Sequence, residues 1–125
     1  MLFNLKRKHD KRFMVIGIDG VPFELLDRFA KEGIMPNVAK LKEKYRFIPS
    51  RVPMPEISSV SWTSFMTGMN PGENGVYGFM ELNPVNYSYI FPNFKTLPVR
   101  AMWEDLGERD KRSVIINLPG TYPAR

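Results

Sequence analysis

Two uninterrupted apolar runs bracket this chain. Phe13-Met14-Val15-Ile16-Gly17-Ile18 ends at Asp19-Gly20, and Ser113-Val114-Ile115-Ile116-Asn117-Leu118 is broken by Pro119-Gly120. A run without polar alternation predicts a strand buried on both faces, as in a parallel sheet. Between the two, apolar positions recur at helical spacing. Pro22 to Glu32 predicts a helix with Phe23, Leu25, Leu26 and Phe29 on one face, stopped by Gly33. Pro36 opens a second helix, with Val38, Leu41 and Tyr45 on one side and Lys40, Lys42, Glu43 and Lys44 on a solvated one. Pro49, Pro53 and Pro55 forbid helix and keep the next segment extended. A third helix is predicted from about Ser61 to Thr67, followed by turn signals at Asn70-Pro71-Gly72 and Asn74-Gly75. Val76 to Pro98, rich in Tyr, Phe, Pro and Asn, reads as an irregular segment whose aromatics pack onto the domain. The alternative use of that cluster is stacking on a nucleobase or sugar. Arg100 to Glu108 predicts a short amphipathic helix with Met102, Trp103 and Leu106 inward. Strands alternating with helices make an α/β fold.

The pattern breaks its own rules in one stretch. Pro55 to Gly75 holds six hydroxyl residues, Ser58, Ser59, Ser61, Thr63, Ser64 and Thr67, interleaved with Trp62, Phe65 and Met66. A surface loop does not need those large apolar residues, and a core helix would not favour so many hydroxyls. The mixture fits a loop that runs into a buried helix, with polar groups gathered at the helix N-terminus. Unpaired N–H groups and a partial positive charge there favour an anion such as phosphate. The plainer reading is a Ser/Thr-rich helix start with ordinary capping.

Composition narrows the chemistry. The 125 residues suffice for one domain with a core, and 43% hydrophobic with 25% charged residues is the balance of a globular protein. There is no cysteine, which removes thiolate nucleophiles, disulfides and Cys-based zinc sites. The single histidine, His9, sits in a charged N-terminal run, so no His-rich metal site can come from this chain alone. The net charge of +5 is concentrated in that run, where Lys6, Arg7, Lys8, Lys11 and Arg12 face only Asp10. Residues 1–12 therefore read as a basic arm and 13–125 as the body. Such an arm suits RNA, DNA or an anionic membrane. Without a basic patch interleaved with aromatics behind it, a solvated leader is the simpler account, and nucleic acid is not the expected partner. No apolar run is long enough to span a membrane, and the N-terminus has no apolar core behind its charges, so the expected location is cytoplasmic.

Asp19 ends the first apolar run, where open α/β sheets bind ligands at the carboxyl ends of their strands. A carboxylate there is a natural ligand for a divalent metal, or else a cap for the next helix. A metal at Asp19 would lower the pKa of a nearby hydroxyl such as Ser58 and make it a nucleophile. Together with helix N–H groups facing the equatorial oxygens, this is half of a phosphoryl-transfer site.

The segments IGIDG, PEISSVSWTSFMTGMNPGENGVYGF and WEDLGERDKRSVIINLPGTYPAR together resemble the N-terminal part of the type I phosphodiesterase/nucleotide pyrophosphatase family, within the alkaline phosphatase superfamily. The resemblance runs from about Phe13 to Arg125 and implies an α/β/α sandwich with a mostly parallel sheet, here truncated. It implies two divalent metal ions, usually zinc, and a Ser or Thr that attacks phosphorus to form a covalent intermediate. By position, Asp19 matches the first metal-ligand Asp. Ser58 matches the nucleophile and thereby a metal ligand, with Ser59 as runner-up. Ser61 falls where relatives hold a phosphate oxygen with Asn. Two departures stand out. Asn74 occupies a position where many relatives carry His, and the remaining Asp and His ligands are not in these 125 residues. The chain is therefore expected to be an N-terminal portion, completed by the rest of the same domain and with little or no catalysis alone. The complete protein would hydrolyse a small phosphoester. A phosphomutase or a sulfate- or phosphonate-ester enzyme of the same superfamily is the near alternative, and a non-catalytic anion- or nucleic-acid-binding module the distant one.

Overall fold

The computed structural model describes residues 12–124. The basic arm expected over 1–12, with His9, lies outside the described residues except for Arg12. Five helices and one small sheet follow in the order α1 (Phe23–Lys31), α2 (Pro36–Lys44), α3 (Ser58–Thr67), α4 (Pro71–Asn74), β1 (Glu81–Leu82), β2 (Tyr89–Ile90) and α5 (Met102–Gly107). This is a mixed helix-and-sheet fold. Among the described residues the only sheet is the antiparallel pair β1–β2, with Glu81 opposite Ile90 and Leu82 opposite Tyr89.

The two expected core strands, and the parallel sheet they would build, are not shown among the described residues. Neither apolar run joins a hydrogen-bonded ladder here. Phe13, Met14 and Ile16 are exposed, as are Val114 and Ile116, and only Leu118 packs against the core. A parallel strand is defined by neighbours on both edges and cover on both faces. The described residues supply neither, so the apolar pattern is present without the burial it specifies.

The first two helices lie where proline and glycine place them. Pro22 precedes α1 and Pro36 opens α2, each with φ suited to a first turn. Gly33, at φ +76°, takes the left-handed conformation that ends α1. The pair is joined by charge and aromatic stacking. Asp27 on α1 is paired with Lys31, at 2.7 Å, and with Lys42 on α2. Phe23 stacks on Phe47 at 4.6 Å between centroids, and the Lys42 ammonium also lies over the Phe47 ring. Lys42 was expected on a solvated face; it is half-buried because it reaches across to Asp27. Leu41 and Tyr45, expected inward, are exposed.

The core forms on the other side of the chain. Met66 of α3, Val76, Phe94, Leu97 and Ala101 are buried together, with Trp103 and Leu118 against them. Of the expected inward face of α5 only Trp103 turns in, to pack on Phe94 at 5.7 Å; Met102 and Leu106 are exposed. The aromatic segment likewise sends only Phe94 inside, leaving Tyr77, Phe79, Tyr87, Tyr89 and Phe91 exposed. No helix among the described residues is long and apolar enough to cross a membrane.

Candidate functional site

Helix α3 is the element that positions the site. Its start is set by Ile57, which is extended (φ −122°, ψ 140°) and whose carbonyl accepts the Ser61 N–H at 2.9 Å. The helix thus begins at Ser58, three residues before the expected start. Serine is an indifferent helix former because its hydroxyl competes for backbone groups. At Ser58 that competition is removed, since the hydroxyl is committed elsewhere. No side chain caps the helix, so the first-turn N–H groups of Ser59 and Val60 have no partner within the helix. The C-terminus is closed by Gly68 at φ +69°.

Asp19 and Ser58, thirty-nine positions apart in sequence, meet directly. Ser58 Oγ donates a hydrogen bond to Asp19 Oδ2 at 3.0 Å. Trp62 Nε1, one turn further along α3, donates to Asp19 Oδ1 at 3.2 Å. Gly20, at φ +67°, turns the chain immediately after Asp19. Both oxygens of the carboxylate are held, each by a neutral donor. Among the described residues no Lys or Arg forms an ion pair with Asp19. Asp19 itself is exposed.

The six hydroxyls separate into distinct roles. Ser61 is half-buried and shares a face with Ser58, three residues away. Ser59 Oγ is buried without a hydrogen-bond partner and turns instead to a cavity of about 100 Å³ lined by Thr63, Met66, Val76 and Phe79. Thr67 Oγ1 donates back to the Thr63 carbonyl at 2.8 Å and accepts the Met69 N–H at 3.2 Å. Ser64 Oγ accepts from Asn74 Nδ2 at 3.3 Å. Only Ser58 among the six is bonded to a carboxylate.

Asn74 is fully buried at the end of α4. Its Nδ2 also donates to the Met69 carbonyl at 3.0 Å, and its Oδ1 accepts the Val76 N–H at 2.9 Å. It is a structural clasp between α3 and the chain leaving α4. Helix α4 itself is closed by a reciprocal cap between Asn70 and Glu73.

The Asp19 carboxylate and the Ser58 hydroxyl are hard oxygens, the kind of group that suits a divalent cation. Among the described residues no group of three or more His, Cys, Asp or Glu side chains comes together. The residues present thus fit one edge of a metal site. Sequence reasoning brought together Asp19 and Ser58 but missed Trp62 as the second partner of the carboxylate. The signal was there in its i+4 spacing from Ser58, which puts both donors on one helix face.

Comparison with protein families matches the model described as type I phosphodiesterase / nucleotide pyrophosphatase over residues 13–125. No curated protein and no solved structure matches the chain.

Proposed function

Because the chain belongs to the type I phosphodiesterase / nucleotide pyrophosphatase family, we propose that it carries the nucleophile half of a metal-dependent phosphoester hydrolase. The observation that carries this reading is the hydrogen bond from Ser58 Oγ to Asp19 Oδ2, at the first residue of an uncapped helix.

Ser58 is the nucleophile in this reading. Its Oγ attacks phosphorus, the bond from phosphorus to the leaving oxygen breaks, and the electron pair leaves with that oxygen. Asp19 Oδ2 already accepts the Ser58 proton in a hydrogen bond and is the acceptor at hand as the new bond forms. The first-turn N–H groups of Ser59 and Val60, which have no partner within the helix, would serve the equatorial phosphoryl oxygens in this reading, and Ser61 offers a hydroxyl on the same face as Ser58. Water then attacks the same phosphorus, the bond from phosphorus to Ser58 Oγ breaks, Oγ takes back a proton, and the product leaves as a phosphate monoester.

Asp19 and Ser58 would hold a divalent ion, zinc by family analogy, with the remaining ligands of a two-metal site supplied from outside these 125 residues. Such an ion lowers the pKa of a bound hydroxyl and neutralises charge on the phosphoryl oxygens. In the same proposal the two apolar runs become strands of a mostly parallel sheet within an α/β/α sandwich. The substrate is a small phosphodiester or nucleotide-like pyrophosphate.

The test is turnover of p-nitrophenyl phosphate esters by the full-length protein, with and without added divalent metal. Ser58→Ala abolishes the metal-dependent turnover if the proposal holds. Unchanged turnover in that variant removes Ser58 from its role, and a matching loss in Ser59→Ala alone transfers the role there.

A further inference from the structure

The indole of Trp62 sits on Gly17 so closely that no side chain fits between them. A Cβ built on Gly17 would stand 2.3 Å from Trp62 Cη2 and 2.8 Å from Cζ3. That is well inside any tolerated carbon–carbon contact, and the ring, half-buried on α3, would have to move. Gly17 lies two residues before Asp19, so the ring rests on the segment that presents the carboxylate. From that seat the Trp62 N–H reaches Asp19 Oδ1 at 3.2 Å. The ring also meets Phe65 edge-on, at 5.9 Å between centroids. With one oxygen tied to Trp62, the carboxylate plane is fixed and Oδ2 is left to Ser58 at 3.0 Å.

We propose that Trp62 is a positioning residue, which uses the absent side chain at Gly17 to lock the rotation of the Asp19 carboxylate toward Ser58. This rests on the reading of Ser58 and Asp19 as reacting partners, but the contact itself can be tested without turnover. Trp62 touches neither the reacting atoms nor the substrate in this scheme. Its effect is on how often Asp19 offers the correct oxygen. An exposed carboxylate held by Ser58 alone would rotate about its last bond, whereas two donors on successive turns of one helix define it. Groups that orient a functional carboxylate are typically worth about 10- to 100-fold in affinity or activity.

Two measurements on the full-length protein decide it. Trp62→Phe removes the indole N–H together with the outer-ring carbons that lie against Gly17. It lowers kcat roughly tenfold with KM within about twofold. Gly17→Ala, which keeps the indole chemically intact but displaces the ring and its N–H from Asp19, shows the same split. The second measurement is the indole N–H resonance of Trp62, identified by its disappearance in Trp62→Phe. Asp19→Ala moves that resonance upfield, because its acceptor is gone, and leaves the resonance of Trp103 in place. Wild-type kcat in Trp62→Phe, or a Trp62 resonance indifferent to Asp19→Ala, overturns the proposal. If the wild-type protein turns over no phosphoester, the hydrolase reading fails, and the resonance alone still decides whether Trp62 holds Asp19.

Discussion

Asp19 and Asp27 are eight residues apart and meet opposite fates. Asp27 is clamped between two ammonium groups, Lys31 and Lys42, and its carboxyl is held below the usual range by the hydrogen bonds and charge they supply. Its charge is spent on joining α1 to α2. Asp19 has only neutral donors, a hydroxyl and an indole, and no cation among the described residues. Asp19 therefore lacks the cationic partners that tie Asp27 into the fold, while both of its oxygens are oriented. The difference shows why counting carboxylates in a sequence says little, and why the partner of each one decides between architecture and chemistry.

The sharpest way to break this comparison is to delete each acid in turn. Asp19→Ala lowers metal-dependent phosphoesterase turnover of the full-length protein by on the order of 10³-fold or more. Asp27→Ala leaves it within about twofold, measured as kcat/KM under the same conditions. Equal losses in the two variants would erase the distinction.

Stability separates the same regions in the other direction. Met66, 1% exposed, anchors α3 to the core, and Met66→Ala costs about 2–5 kcal/mol by urea denaturation. Asn74→Ala strands the buried Val76 N–H and removes the donor to the Met69 carbonyl, at a cost of about 1–3 kcal/mol. Neither residue touches Asp19, so the folded fraction of each variant retains its turnover.

The smallest effect is electrostatic. Because the folded state lowers the Asp27 pKa from its ordinary 3.8, ionised Asp27 stabilises the α1–α2 pair above that pH, and the contribution is lost as pH falls through the lowered value. The urea midpoint of Asp27→Asn is therefore slightly below wild type at neutral pH, and the gap closes on acidification. Added salt narrows it as well, since Lys31 is largely exposed.

Local features were legible in the sequence, and long-range ones were not. Pro22, Pro36 and Gly33 marked the ends of α1 and α2 because each acts through its own backbone angles. The link between Asp19 and the hydroxyl stretch was also legible, since an acid closing an apolar run and a helix start rich in Ser both point to one sheet edge. The early start of α3 was missed because propensity disfavours Ser58 and Ser59 as helix formers, while the hydrogen bond that commits Ser58 is tertiary. Trp62 was read as apolar bulk because its N–H matters only once Gly17 is beneath it. The runs at 13–18 and 113–118 gave a clear strand pattern, but pairing depends on neighbours that a pattern does not name. Asn74 was noted for the histidine it replaces, and its structural use appears only from the three groups it bonds.

The most direct measurement is a double-mutant cycle on kcat/KM with Asp19→Asn, Ser58→Ala and the combined variant. If the two groups act as one unit, the combined variant is no worse than the more damaging single change. Losses that multiply would show that Asp19 and Ser58 contribute independently and would contradict the account.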